Sequence, residues 1–215
     1  MSDAKTDNYG WESAEAMCSA AYLHDPIRRL VREAGARDVI DAGCGNGALC
    51  ADLAKDGCNI LGVDGDEQGI AIARAQYPAI PFRVQMFGDS ADFTDVTQDG
   101  KFDYLVSTEV VEHLYAPHEL AAFCFRVLRP GGQLAMSTPY HGYLKNLALS
   151  ATNAWDKHHT VDWHGGHIKF WSRKTLTKLL TDAGFVVTGF VGAGRLPYLW
   201  KSMILTARKP EGSAP

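Results

Sequence analysis

Val39-Ile40-Asp41-Ala42-Gly43-Cys44-Gly45-Asn46-Gly47 is followed directly by Ala48-Leu49-Cys50-Ala51-Asp52-Leu53-Ala54-Lys55. Asp38 to Ala42 reads as a short strand stopped by glycine, and Ala48 to Lys55 as a helix with Leu49 and Leu53 four apart. Between them lies G-x-G-x-G. Glycine lets a chain turn sharply and lets backbone approach a ligand closely. The helix that follows offers unpaired N–H groups at its start. No Gly-Lys-Ser/Thr follows the loop, which excludes a P-loop, and the spacing is not the G-x-G-x-x-G of a dinucleotide site. Many strand–helix loops need glycine for turning alone, so the ligand has to be argued from what surrounds this one.

Working outward, Asn59 to Val63 reads as a second strand ending at Asp64. Glu67 to Tyr77 reads as a helix with a small apolar face at Ile70, Ala71, Ala73 and Ala75, ended by Pro78 and Pro81. Phe82 to Met86 is a weaker strand, and Phe102 to Ser107 is a strand of the kind covered on both faces. Pro117 to Leu128 is helical, Pro130-Gly131-Gly132 a turn, and Gln133 to Ser137 a strand. Thr175 to Ala183 is a helix stopped by Gly184. Phe185 to Val191 and Ser202 to Ala207 are two final strands with only a loop between them. Strands separated by helices predict an α/β fold with a doubly wound, Rossmann-like sheet, mostly parallel and seven-stranded. The last two strands are expected to pair antiparallel at one edge. Residues 139–171 fit neither period and are too long for an ordinary connection, so they read as a lid insertion.

The chain has 215 residues, 46% hydrophobic and 21% charged, with 21 glycines and 9 prolines. Those are ordinary values for a globular protein, and the length supports a substantial core without staples. The net charge of −4 argues against a nucleic-acid backbone as the main partner. No apolar run reaches membrane-spanning length. The first 25 residues carry Asp3, Asp7, Glu12 and Glu15 and do not read as a signal peptide. Cysteines at 18, 44, 50, 58 and 124 are odd in number and form no C-x-x-C. Free thiols and a cytoplasmic location are expected. Oligomeric state is not legible.

Asp64 follows Gly45 by 19 positions and ends the second strand, where a carboxylate can accept hydrogen bonds from both hydroxyls of a ribose. In Asp64-Gly65-Asp66 it also reads simply as a turn residue. Taken with Gly88-Asp89-Ser90, with Phe102-Asp103 leading to Ser107 and Glu109-Val110-Val111-Glu112-His113-Leu114, and with Leu128-Arg129-Pro130-Gly131-Gly132, the chain resembles the class I S-adenosylmethionine-dependent methyltransferases. The likeness covers residues 38 to about 138, with five motifs in order. It implies that Asp41 lies near the methionine amino group and that Gly43, Cys44 and Gly45 pass under the methionine and ribose. Asp64, with Gly65, would hold the ribose, and Asp89 and Ser90 would face the adenine. Glu109 and Val110 would line the methyl-donor end. Tyr9, Trp11 and Tyr22 would cover the cofactor as a flap, or belong to a packing helix instead. On this reading 1–215 is a single methyltransferase domain. It comprises a helical flap (1–37), a cofactor-binding half (38–138), a substrate lid (139–171), and a C-terminal helix with edge strands (172–208).

Methyl transfer from a sulfonium needs alignment and a dry site more than it needs activation of the leaving group. A hydroxyl acceptor also needs its proton removed. Glu109, Glu112 and His113 are spaced i, i+3, i+4, so a helix beginning there would put all three on one face. They could form a general-base cluster, with His113, Glu109 and His167 as the candidate catalytic residues. They could equally hold a divalent cation, magnesium for the carboxylates or zinc for the imidazole. The bland alternative is a helix start with acids favoured by the dipole.

Glu109 to Leu114, with Ser137-Thr138-Pro139 and Gly166-His167-Ile168-Lys169-Phe170, is most similar to the ubiquinone-biosynthesis O-methyltransferase branch. That branch implies phenolic hydroxyls of polyprenylated rings as acceptors and a metal at the Glu/Glu/His group. The chain departs from the branch in its shorter N-terminus and in Tyr140 to His159, which leaves the acceptor open. The lid carries His158, His159, His164 and His167 beside Trp155, Trp163, Phe170 and Trp171, read as acceptor-pocket walls or as an aromatic cover. The expected function is methyl transfer to a small molecule, at oxygen first and at sulfur or nitrogen next. A nicotinamide-dependent oxidoreductase and a non-catalytic cofactor-binding module are the more remote alternatives.

Overall fold

A computed structural model describes residues 11, 13, 18–88, 100–159 and 165–212. Five candidate site residues named above, Tyr9, Asp89, Ser90, Trp163 and His164, lie outside them, as do Asp3, Asp7, Glu12 and Glu15.

The strands are β1 (Asp38–Ala42), β2 (Asn59–Asp64), β3 (Phe82–Val84), β4 (Phe102–Thr108), β5 (Leu128–Pro139), β6 (Val186–Ala193) and β7 (Ser202–Arg208). They form one sheet in the order β3-β2-β1-β4-β5-β7-β6. The first five run parallel, and β7 enters antiparallel between β5 and β6. The antiparallel pair therefore sits at one edge, as expected, with β6 outermost. The turn at Pro130-Gly131-Gly132 lies inside β5: Leu128 pairs with Phe102, and the next pairing is Gln133 with Tyr104.

Around the sheet lie α1 (Ala20–Glu33), α2 (Ala48–Lys55), α3 (Glu67–Gln76), α4 (Pro117–Val127), α5 (Tyr143–Ala151), α6 (Trp155–His159) and α7 (Arg173–Asp182). Asp66 caps α3 by accepting from the Gln68 and Gly69 N–H groups. Ser172 and Thr175 form a reciprocal capping box on α7.

Successive strand residues point to opposite faces, and the core divides accordingly. Val39, Tyr104 and Val106 pack with Leu23, Ile27, Leu53 and Ile70 on the side of α1, α2 and α3. Ile40, Leu105 and Met136 pack with Leu120, Phe123 and Leu176 on the side of α4 and α7. Helix α1 supplies Leu23, Ile27 and Val31, four apart, each no more than 1% exposed.

From β1 the chain winds outward through β2 and β3, then returns to place β4 on the other side of β1. The order thus reverses between β1 and β4. In open α/β sheets a ligand crevice forms at such a switch, beyond the carboxyl ends of the strands. The lid is less irregular than the sequence implied, since it contains α5 and α6. Among the described residues, no helix is long and apolar enough to cross a membrane. The five cysteines carry free thiols.

Candidate active site

The loop after β1 is held by its own backbone. The Gly43 and Cys44 N–H groups donate to Val63 O at 2.8 and 3.0 Å. Gly43, Gly45 and Gly47 have φ of +87°, +51° and +79°, conformations that side chains resist. A Cβ on Gly43 would fall inside the Val110 side chain, and one on Gly45 would fall inside the Trp11 ring. The loop backbone is therefore packed closely against a valine of the β4 loop and an N-terminal tryptophan. Gln68 Nε2 donates to Trp11 O at 2.7 Å, and Asn46 Nδ2 to Ser13 O at 3.0 Å, which ties the N-terminal segment to this loop. Tyr22 lies in α1, with its hydroxyl beside Ser202.

Two acids flank the loop. Asp64 accepts from Gly45 N and Asp66 N, both at 2.8 Å, one on each oxygen. Each oxygen keeps a second lone pair for a ligand hydroxyl. Burial raises its pKa. Gly65, next along, faces the Met86 sulfur. Asp41 is 1% exposed. Its Oδ2 accepts from Cys50 Sγ at 3.4 Å, and its Oδ1 is buried without a hydrogen-bond partner. Burial pushes this carboxyl up to about 7. A buried, unsatisfied carboxylate oxygen is costly, and a cationic ligand beside it would remove that cost.

Across the switch point, Glu109, Glu112 and His113 do not share a helical face. Glu109 has φ +54°, and the helical part is a single 3-10 turn at Val111–His113. The Glu109 carboxylate is already engaged, accepting from Ser137 Oγ at 2.7 Å and from Ser202 Oγ at 3.0 Å. Tyr22 OH lies 3.4 Å from Ser202 Oγ, and burial, then Glu109, pushes this phenol up to about 12. The left-handed backbone at a non-glycine residue is a local strain, held by Glu109 N donating to Ser137 Oγ at 3.1 Å.

Glu112 is 1% exposed, and neither carboxylate oxygen has a hydrogen-bond partner. Burial, and then Glu109, raise its pKa well above the ordinary carboxyl range. Its backbone O accepts from Ile168 N and Lys169 N, at 3.1 and 3.0 Å, and so brings the far end of the lid alongside. Trp171 Nε1 reinforces this by donating to Val111 O at 3.3 Å. His167 thereby reaches His113, with ring centroids 5.0 Å apart. Among the described residues, the group able to share an ion is Glu112, His113 and His167, whose ligand atoms lie within 4.8 Å of one another. Glu109 is outside it. His113 Nδ1 lies 3.3 Å from Gly166 O, so a proton on Nδ1 leaves Nε2 as the ligating atom. Burial lowers the His113 pKa, and burial followed by His113 lowers that of His167 to about 4. Both rings are neutral at neutral pH, the form that binds metals.

Ser137, Ser202 and Lys145 also belong to this site, and none had been singled out as a site residue. Serines in strands carry no periodic signal, and Lys145 sits among leucines in a stretch whose pattern would bury the leucines.

The methyltransferase domain family model matches residues 17–189. The chain belongs to the methyltransferase domain family. A probable S-adenosylmethionine-dependent methyltransferase of Mycolicibacterium smegmatis is 33% identical over 168 residues, covering 77% of this chain and 58% of that protein. A ubiquinone biosynthesis O-methyltransferase of Methylococcus capsulatus is 28% identical over 193 residues, covering 87% and 81%. Magnesium protoporphyrin IX methyltransferase of Synechocystis PCC 6803 shares the fold, with a TM-score of 0.66 at 19% identity, covering 86% of this chain and 81% of that one. The chain spans less than two thirds of the length of the first curated relatives it matches. Several ubiquinone O-methyltransferases are among the relatives, and no single branch of the methyltransferase domain family stands out.

Proposed function

We propose that this methyltransferase-domain protein moves a methyl group from S-adenosylmethionine to a small-molecule acceptor, at an oxygen of phenol type. The observation that carries the cofactor half is the left-handed glycine loop at the β1/β4 switch, with the unpartnered Asp41 Oδ1 buried beside it. Family membership supports the same reading. Asp41 would face the cofactor's amino group, and the Gly43–Gly45 backbone would run beneath it. Asp64 with Gly65 would accept the ribose hydroxyls, and Asp89 and Ser90 would face the adenine. Glu109 and Val110 would border the reacting end, and Cys44 would line the loop. When bound, S-adenosylmethionine supplies a methyl group on an electrophilic sulfonium. The chain's part is to align the acceptor with that methyl and keep water out, which gives residues 139–171 their role as a lid over the 38–138 half. The flap 1–37 would close the cofactor side, and 172–208 would support the sheet edge.

On the acceptor side, His113 and His167 are the proposed acceptor-binding imidazoles, with Glu109 behind them. The unsatisfied carboxylate of Glu112 fits a divalent ion shared with these two rings. One carboxylate with two imidazoles suits a zinc-like ion better than magnesium. An oxygen acceptor is supported by this group and by the name of the Methylococcus relative. A small thiol or amine is the alternative.

The test is a screen of phenols, catechols, thiols and carboxylates with labelled cofactor. Methyl incorporation into a phenol or catechol is expected, lost on chelation and restored by zinc. Transfer only to thiols or amines would overturn the oxygen assignment, and full activity after chelation would overturn the ion.

A further inference from the structure

The loop joining β6 to β7 turns its apolar side chains outward. Gly194 to Leu199 are all exposed, Leu196 by 74% and Tyr198 by 61%. Backbone hydrogen bonds fix the loop in this form. Lys201 N donates to Ala193 O at 2.9 Å and closes its base, and Leu199 N donates to Leu196 O at 3.0 Å and closes its tip. Trp200 anchors the root against Tyr140, with ring centroids 5.1 Å apart. Tyr198 has φ +65°, a left-handed conformation that a non-glycine residue resists. Leu196, Tyr198 and Leu199 are thus held in water, although covering them would be favourable.

Helix α5 lies beside this loop and does the same. Its buried residue is Lys145, whose Nζ donates to Lys201 O at 3.0 Å, and Tyr140 N donates to the same carbonyl at 3.0 Å. The helix is pinned to the root of the loop through its lysine, which leaves Tyr143, Leu144 and Leu147 outward, 80%, 50% and 52% exposed. Lone exposed apolar residues are ordinary, whereas a group of them on joined segments marks a contact surface. The charges around this one have a single sign. Arg195 and Lys201, both exposed, flank the apolar tip of the loop. Residues 139–155 and 183–210 contain no Asp or Glu, although the net charge of the chain is −4. The acids of the lid, Asp156 and Asp162, follow α5 in sequence.

We propose that the β6–β7 loop and helix α5 form a docking face for an anionic lipid bilayer. The leucines and tyrosines enter the boundary between headgroups and acyl chains, and Arg195 and Lys201 meet the lipid phosphates. An acid-free apolar surface edged by cations, with aromatic rings among its aliphatic ones, has the chemistry of such a contact. A second copy of the chain fits less well, because a two-fold contact would set Arg195 and Lys201 against their own counterparts. The bilayer contact is peripheral and reversible, since it takes up side chains and no spanning segment. It lies at the Glu109 end of the sheet, where Ser202, next after Lys201, holds the Glu109 carboxylate. Docking of this kind needs no methyl transfer and stands or falls apart from the reaction.

The test is sedimentation of the full chain with vesicles of phosphatidylcholine alone and of phosphatidylcholine with an equal part of phosphatidylserine. Wild type should partition onto the mixed vesicles at least about tenfold more strongly than onto the neutral ones, because each cation near an anionic surface adds severalfold. Leu196→Ser with Leu199→Ser should weaken binding to the mixed vesicles at least about tenfold. Arg195→Gln with Lys201→Gln should bring that binding close to the neutral-vesicle value. Val186→Ser removes an exposed apolar side chain at the far end of β6 and should bind as wild type does. All the substituted side chains are exposed, and wild-type melting temperatures show that the variants fold. Wild type that stays in solution beside the mixed vesicles would overturn the proposal. So would a leucine pair variant that sediments like wild type, or an equal loss in Val186→Ser. A concentration-dependent dimer abolished by the leucine pair, without vesicle binding, would also overturn it and give the face to a second copy.

Discussion

Asp64 fixes Gly45 and Asp66 through their backbone N–H groups, and its remaining lone pairs are those proposed for a ribose. Asp64→Ala should weaken S-adenosylmethionine binding by about 1–3 kcal/mol, the loss of hydrogen bonds to a charged group. Calorimetric titration of the folded variant checks this, and unchanged affinity would remove Asp64 from the ribose role. Asp41 makes a second kind of prediction, through the pKa that its burial raises. An acid with a raised folded-state pKa binds more protons folded than unfolded between its two pKa values, so stability falls as pH rises through that window. For Asp41 the window runs from 3.8 to about 7. Asp41→Asn should therefore match wild type near the lower end. At and above the upper end it should be more stable by on the order of a few kcal/mol and so melt at a higher temperature. Equal melting temperatures across the window would show that Asp41 is not held against its charge in the ligand-free protein.

At the scale of elements, the glycine loop and the β4 turn lock through Gly43 and Val110. Gly43→Ala puts a Cβ inside Val110 at φ +87° and should cost roughly 1–3 kcal/mol. Adding Val110→Ala should relieve the clash and leave the backbone strain, so denaturant unfolding of the double variant should show partial recovery. Full recovery would mean the φ carries no cost. In α1, Ile27→Ala should cost about 2–5 kcal/mol, because that residue is fully buried between the helix and the sheet.

The elements that sequence reads well are those whose burial is periodic. β1 and α2 are legible to the residue and α3 nearly so, because Leu49 and Leu53 in α2, and Ile70 and Ala73 in α3, sit at helical spacing against strands buried on both faces. The lid is read less well. In α5 the exposed leucines and the buried Lys145 invert the usual pattern, so no hydrophobic period marks its inner face. The acid–histidine site is half legible. Glu112 and His113 are adjacent in sequence, but His167 joins them only because the Glu112 carbonyl pins Ile168 and Lys169. Glu109 leaves the group because its backbone turns left-handed before the 3-10 turn begins.

At the scale of the molecule, one sheet order explains why these groups meet. The reversal between β1 and β4 sets the glycine loop beside the Glu109–His113 turn, and β5 and β7 bring Ser137 and Ser202 to the same end. The lid then adds His167 and Lys145 from above. On the proposed assignment, the acids given to the cofactor lie on one side of the switch and the groups given to the acceptor on the other, as a transfer between two bound molecules requires. The measurement closest to the centre of this account is a calorimetric titration of the folded chain with S-adenosylmethionine, S-adenosylhomocysteine and NADH. Saturable binding of both sulfur nucleosides, one per chain, with no binding of NADH, is the predicted result. A folded chain that binds neither sulfur nucleoside, or that binds NADH in their place, would contradict it.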